Sequence, residues 1–300
     1  MHKYKFTVFT ATYNREHLLE NVYNGLKKQT FNDFEWLIVD DGSTDNTKKL
    51  VDRFVSENKM DINYIYKENG GKHTAINIGV ENSNGELFFI VDSDDGVLEN
   101  SLEIVNNEWD LQKDKKGLSG VVGLCVLKDG QIVGDNMPDD KKIYNFTDLY
   151  FKFNIDGDKS LVFATDVLKK YRFPEVEGVK FLPESVVWHE ISKKYDMVCV
   201  NKPLRVVEYL DDGLTKNILS KNALKGRAWE FLYLINQKTY PINRYPYMWI
   251  KNYINLARYS LLSGTSRFRD IDRLFDRYMY VMLFPLGYYK YAKQRKLIDK

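Results

Sequence analysis

Three carboxylates fall within four residues at Asp92-Ser93-Asp94-Asp95, directly after the apolar run Leu87-Phe88-Phe89-Ile90-Val91. Carboxylates this close repel one another unless a cation or hydrogen-bond donors compensate them. Oxygen-only ligands favour a hard ion, Mn²⁺ or Mg²⁺, which keeps part of its coordination open for phosphate oxygens. Taken without its neighbours, the segment is equally a solvated loop with helix-capping aspartates. A second acidic turn, Asp40-Asp41-Gly42-Ser43-Thr44-Asp45, follows Phe34-Glu35-Trp36-Leu37-Ile38-Val39. A carboxylate there can accept hydrogen bonds from an imide N–H and a ribose hydroxyl, the handles of a uridine nucleotide, although Asp, Gly and Ser are also ordinary turn residues. Asn69-Gly70-Gly71-Lys72 can bring backbone N–H groups and an ammonium close to a pyrophosphate, or form a flexible loop with an exposed lysine.

These groups need elements to position them. Phe6–Thr10 is a β-rich run that ends in the polar turn Ala11-Thr12-Tyr13-Asn14, and Leu18, Leu19, Val22 and Leu26 then follow helical spacing. Residues 34–39 form a strand too apolar to have a solvent face. A helix is expected over Thr44–Ser56, capped by Ser43 or Thr44, then a strand over Ile62–Tyr66 and a short helix over His73–Val80. Residues 87–91 make the fourth strand. Alternating strands and helices of this length imply an α/β fold with a mainly parallel sheet and right-handed crossovers. Ligands of such sheets bind beyond the carboxyl ends of the strands, where all four polar clusters of this sequence fall.

The composition sets the outer bounds. In 300 residues, 44% are hydrophobic and 29% charged, enough to bury a core and too apolar for a disordered chain. Cys125 and Cys199 cannot build a disulfide framework or a four-ligand zinc site and read as small apolar fillers. No basic-then-apolar leader opens the sequence and no apolar stretch approaches the roughly 18 residues of a membrane span, so secreted and membrane-spanning classes are set aside. A dinucleotide-dependent oxidoreductase would need Gly-x-Gly-x-x-Gly after the first strand, where this chain has Thr-Ala-Thr-Tyr-Asn-Arg. Residues 219–300 carry 16 Lys/Arg against 5 Asp/Glu, while residues 1–218 carry 28 against 37. That split predicts an acidic part that holds a cation and a basic tail that meets an anionic partner.

Five segments together resemble family 2 glycosyltransferases: Thr10-Ala11-Thr12-Tyr13-Asn14-Arg15; Gln29-Thr30-Phe31; Val39 to Asp45; Asn69-Gly70-Gly71-Lys72 with Ala75, Asn77 and Gly79; and Asp92-Ser93-Asp94-Asp95. The resemblance implies a GT-A fold over roughly residues 4–210, a nucleotide-sugar donor that is usually UDP-linked, a divalent Mn²⁺ or Mg²⁺, and inversion at the anomeric carbon. Carried over by position, Thr10, Thr12, Arg15 and Asp41 contact the nucleotide, Asp40 braces their loop, and Lys72 lies near the ribose or phosphates. Asp92 and Asp94 form the DxD pair, with Asp95 an equal candidate for the metal. The family often places an acidic pair near a helix start in its second half. Here Phe181-Leu182-Pro183-Glu184-Ser185 precedes Val186, Val187, Trp188 and Ile191, making Glu184 the expected base, with Ser185 in place of a second acid and Asp156 and Asp158 as alternatives. Equally, Glu184 suits a first helical turn through the dipole alone. Trp188 and His189 either border the acceptor or pack structurally. Tyr209 to Thr215 resembles a donor-phosphate segment of some relatives.

The expected organisation is a catalytic domain over 1–218, with donor binding in 1–100 and the acceptor side in 101–218, followed by a helical, basic, aromatic-rich extension over 219–300. Helices are expected at 219–238, 246–262 and 267–286. Aromatics beside Lys290, Lys293, Arg295 and Lys296 suit an anionic membrane surface, or else a subdomain packed on the core or a homodimer partner. The basic residues lack a nucleic-acid recognition pattern. Gln-x-x-Arg-Trp is absent, which favours adding one sugar per encounter over processive synthesis. The resulting expectation is a cytoplasmic or inner-face glycosyltransferase that extends a surface glycan on a lipid or protein carrier; the alternative is a non-catalytic sugar-nucleotide-binding scaffold.

Overall fold

The computed structural model describes residues 2–208 and 220–298. The chain forms two compact units, Met1–Phe173 with Lys194–Tyr209, and Pro174–Lys193 with Leu210–Lys300. The second unit therefore takes an internal segment as well as the C-terminal helices.

In the first unit the elements run β1 (Tyr4–Thr12), α1 (Leu19–Leu26), β2 (Phe34–Asp40), α2 (Thr47–Ser56), β3 (Asp61–Tyr66), α3 (Lys72–Asn82), β4 (Gly85–Ile90), β5 (Gly96–Val97), α4 (Ser101–Asp110), β6 (Leu118–Val126), β7 (Ile143–Tyr144), α5 (Phe146–Phe151), β8 (Lys159–Ala164) and α6 (Thr165–Leu168). After α7 (Ser185–Ile191) of the second unit, β9 (Asp196–Val206) returns to the sheet. The strand order is β3-β2-β1-β4-β8-β6-β9-β5, with β7 on β9. Strands β3, β2, β1 and β4 are parallel; β8 runs antiparallel to β4 and β6. Every residue of β2 is buried, as its continuous apolar run requires.

Against the parallel half, Tyr23 of α1, Trp36 of β2 and Phe54 of α2 stack, with the Tyr23 and Phe54 rings 4.0 Å apart. Helix α3 comes close to the sheet at Gly79, where an added Cβ would stand 2.2 Å from the Phe9 ring. The start of α2 differs from expectation. Neither Ser43 nor Thr44 caps it; Asp45 accepts from the N–H and hydroxyl of Thr47, at 3.1 and 2.6 Å. Ser43 and Thr44 are instead bonded to the preceding loop. Cys125 and Cys199 are free and buried, on β6 and β9.

The second unit holds α7, α8 (Lys221–Asn236), α9 (Pro246–Ser263) and α10 (Leu274–Ile298). Ser220 caps α8, Pro246 opens α9, and Gly264 closes it in the left-handed region at φ 67°. The third helix starts later than 267 and runs past Leu286 to Ile298, with Pro285 inside it. Proline removes one hydrogen bond, to Val281, and Val281 is exposed, so water can take its carbonyl. Trp188 and His189 are buried in this unit, His189 edge-on to Tyr240, which gives both a packing role.

Candidate active site

The parallel register lines up the strand ends. Thr12 stands opposite Asp40, Asp40 opposite Tyr66, and Phe9 opposite Ile90, so the segments that follow emerge along one edge of the sheet. The loops after β1 and β2 are laced together. Asn14, at φ 53°, donates its N–H to Ser43 Oγ at 2.9 Å and accepts from Thr44 N at 2.8 Å. Glu16 N donates to Asp45, and Asn46 N donates to Glu16.

Asp40 braces this loop, as expected: one oxygen accepts from Ser43 N at 2.7 Å and the other from the Tyr64 hydroxyl at 2.6 Å. Burial and the Asp40 carboxylate hold the Tyr64 phenol far above its ordinary pKa. Asp41 is even more heavily engaged. Lys67 Nζ (2.5 Å) and Gly70 N (2.9 Å) donate to one oxygen, and Gly71 N (2.7 Å) and Asn69 Nδ2 (3.1 Å) to the other. A carboxylate has about four lone-pair sites, and here four donors meet them. Its oxygens organise the Asn69–Lys72 loop.

The next residue, Lys72, opens α3 and pairs with Asp92. Gly71 and Lys72 thus tie the Asp41 turn to the triple-aspartate segment. Arg205 of β9 reaches the same segment from the other half of the sheet, 3.1 Å from Asp95 and 3.7 Å from Asp92. Pairing of Gly96 with Val206 and Val97 with Arg205 brings it there. The three aspartates offer ligand atoms within 4.8 Å of one another. Burial works against ionisation of Asp92, but Lys72 and Arg205 hold its pKa below the usual carboxylate value. Burial raises Asp94, and the Asp92 charge raises it further. Asp95 is pushed up to about 7 by burial, against the pull of Arg205 and with the push of its two neighbours. Among the described residues no cation is paired with Asp94.

Among the described residues Lys72 and Arg205 pair with Asp92 and Asp95 while Arg15 acts on Asp94 through its charge, and the pKa values of Asp94 and Asp95 stay raised, which marks the cluster as short of positive charge. An all-oxygen donor set with that deficit fits a hard divalent cation, and Asp94 and Asp95 remain the candidate ligands beside Asp92.

The other expected residues divide. Thr12 is buried, and among the described residues its hydroxyl has no hydrogen-bond partner. Thr10 is buried below it and accepts from the Trp36 indole at 3.0 Å, which commits its side chain to the core. Arg15 lies close enough for its charge to pull against the net upward shift of Asp94, which burial and Asp92 cause. Glu184 sits immediately before α7 in the second unit. Asp156 and Asp158 are exposed in the loop before β8. The Tyr209–Thr215 segment lies outside the described residues. Sequence reasoning missed Lys67, Tyr64 and Arg205. A signal existed for Arg205: an arginine within the apolar run Leu204-Arg205-Val206-Val207 is costly unless paired.

A mainly parallel sheet with an aspartate triad beyond its fourth strand, continued by antiparallel strands, has the GT-A architecture of glycosyltransferases. Staphylococcus aureus TarS in complex with UDP-GlcNAc shares it, with a TM-score of 0.62 at 20% identity over 93% of this chain and 79% of that one. So does the Pyrobaculum calidifontis mannosyltransferase PcManGT in complex with GDP-Man and Mn²⁺, with a TM-score of 0.59 at 17% identity over 100% and 89% of the two chains.

The chain belongs to glycosyl transferase family 2, whose profile matches residues 7–165, and it is a glycosyltransferase. The Campylobacter jejuni GalNAc(5)-diNAcBac-PP-undecaprenol beta-1,3-glucosyltransferase is 29% identical over 232 residues, 74% of this chain and 70% of that protein. Poly(ribitol-phosphate) beta-N-acetylglucosaminyltransferase TarS is 33% identical over 101 residues, which span 33% of this chain and 18% of TarS.

Proposed function

We propose that this glycosyltransferase moves one sugar from a UDP-linked donor to a hydroxyl of a glycan carried on a lipid or protein, with inversion, in surface polysaccharide synthesis at the inner face of the cell membrane. The observation that carries the reading is the joining of the Asp41 turn to the aspartate triad through Gly71 and Lys72. Base and ribose recognition is assigned to the Thr12–Arg15 and Asp40–Asp45 loops, and diphosphate recognition to Lys72 and the triad. In this reading residues 1–100 serve the donor and 101–218 the acceptor. The names of the Campylobacter enzyme, with its undecaprenol-linked acceptor, and of the TarS complex with UDP-GlcNAc support the acceptor and donor classes.

Asp94 and Asp95, with Asp92, would hold Mn²⁺ or Mg²⁺, which as a Lewis acid offsets charge on the departing diphosphate. The Lys72 ammonium adds positive charge on the leaving-group side. Glu184 is the proposed base. It takes the acceptor hydroxyl proton as the new C–O bond forms and the bond to the diphosphate oxygen breaks. Thr10 serves by packing behind the loop through Trp36.

A thermal-shift screen of nucleotide sugars with and without Mn²⁺ identifies the donor, and UDP release in the presence of acceptor measures transfer. Glu184→Gln should reduce transfer by at least about 10²-fold with donor affinity unchanged. Full turnover in that variant removes Glu184 from the reading. Donor binding without UDP release under any acceptor turns the protein into a sugar-nucleotide scaffold.

A further inference from the structure

Helix α10 has two faces of different chemistry. Asp276, Tyr280 and Gly287 are buried. Asp276 accepts from the Tyr253 hydroxyl at 2.7 Å and pairs with Arg273. Gly287 lets α10 approach α9 so closely that an added Cβ would lie 2.5 Å from Ala257. The opposite face is open to solvent and apolar. Phe275, Tyr278, Met282, Leu286 and Tyr289 are each more than half exposed. Their spacing of three, four, four and three residues sets them in one stripe about 21 Å long. Lys293 and Lys296 continue the same line, and both are exposed.

A stripe of this length on a water-soluble surface calls for a partner. Charge decides which one. Among the described residues of α10 the only carboxylate is Asp276, which is buried and paired, whereas Lys290, Lys293, Arg295 and Lys296 cluster toward its end. A second copy would bring the same lysines and no acid to meet them. An anionic lipid surface offers both an apolar layer for Phe275, Met282 and Leu286 and phosphates for the lysines. Tyr278 and Tyr289 suit headgroup depth, where the ring is apolar and the hydroxyl wet. No helix among the described residues is long and apolar enough to cross a membrane, so the matching geometry is a helix lying in the interface.

We propose that this face of α10 docks the protein on an anionic bilayer. The proposal rests on exposure and charge in the second unit, independently of the donor and acceptor assigned above.

Flotation of the purified full chain with vesicles tests it. The protein should float with vesicles containing about one-third phosphatidylglycerol and remain behind with pure phosphatidylcholine, and salt raised from about 0.1 to about 0.5 M should weaken binding. Met282→Glu with Leu286→Glu should abolish flotation. Lys293→Glu with Lys296→Glu should lower it by more than tenfold, since each basic residue near an anionic leaflet is worth roughly fivefold. Both pairs change exposed side chains, and unchanged circular dichroism confirms that each variant is folded. Failure of the wild-type chain to float with phosphatidylglycerol vesicles overturns the proposal. So does flotation that ignores both double variants. Light scattering without lipid gives the other decisive outcome: a wild-type dimer that Met282→Glu with Leu286→Glu splits, with no flotation, would make the face a self-interface.

Discussion

Replacing Asp41 by Asn asks whether this carboxylate serves its own loop before any ligand. Its oxygens accept from Lys67, Gly70, Asn69 and Gly71 at 2.5–3.1 Å, and the residue is 4% exposed. Asparagine keeps one oxygen and turns an NH₂ group toward one pair of donors. Two bonds are lost and Lys67 loses its counter-charge. Breaking a buried charge pair by removing one partner costs about 3–5 kcal/mol. At about 1.4 kcal/mol per decade, the Gly70 and Gly71 amides should exchange their hydrogens about two to three and a half decades faster. Lys67→Met removes the other end of the pair and should speed the same amides. A double-mutant cycle should then return a coupling of about 2 kcal/mol, within the range for residues in one network. UDP affinity, read by calorimetry, should fall in both single variants because the loop that presents Gly71 and Lys72 loosens. If Lys67→Met leaves exchange and UDP affinity untouched while Asp41→Asn abolishes UDP binding, the carboxylate acts on the nucleotide directly and the reasoning is wrong.

Three further outcomes are expected. Gly79→Ala drives a methyl into the Phe9 ring and should cost about 1–3 kcal/mol in urea unfolding, as overpacking does. Burial lowers the His189 pKa to about 3, from about 6.5 when unfolded. The neutral form is thus favoured in the native state, and its stabilisation is complete above pH 6.5 and shrinks as pH falls toward 3. Unfolding measured at pH 7 and pH 5 should differ by about 2 kcal/mol from this residue alone, and His189→Asn should remove that part of the slope. Asp94→Asn relieves a carboxylate whose ionisation is opposed by burial and by Asp92, so the metal-free protein should melt higher while Mn²⁺-dependent activity falls. A variant that melts lower would count against the charge deficit argued for the triad.

The parallel half of the sheet is legible because β1, β2 and β4 read as apolar runs that stop at polar turns, Phe34 to Asp40 being the clearest case, while the edge strand β3 alternates. The family resemblance also implies that Asp40 braces a turn, and its bonds to Ser43 and Tyr64 do so. What the sequence hid depends on pairings between distant segments. The mixed half is held by register between strands, antiparallel where Gly120 stands opposite Phe163 and parallel where Val121 stands opposite Val198, which no local pattern announces. Helix α10 extends past the expected end at Leu286 with Pro285 inside it, which is tolerated where the freed carbonyl is on an exposed residue. Asp45, not Ser43 or Thr44, bonds to the first turn of α2, because Ser43 and Thr44 serve the Asn14 loop.

The motif residues themselves do two kinds of work, and only the structure separates them. Asp40, Asp41 and Thr10 hold the rim in shape through hydrogen bonds to their own chain. Among the described residues Thr12 keeps a buried hydroxyl with no partner, and Asp94 carries a charge that burial and Asp92 oppose. Groups left in unfavourable settings are where an incoming ligand gains most, because binding relieves a cost already present in the folded state. On that argument we expect donor binding to depend most on Thr12 and the triad, with the conspicuous Asp40-Asp41 pair acting by keeping Gly71 and Lys72 in place. Substitutions at Asp40 should therefore weaken donor binding only in proportion to how far they loosen the loop, whereas Thr12→Val should weaken it with the loop amides still protected.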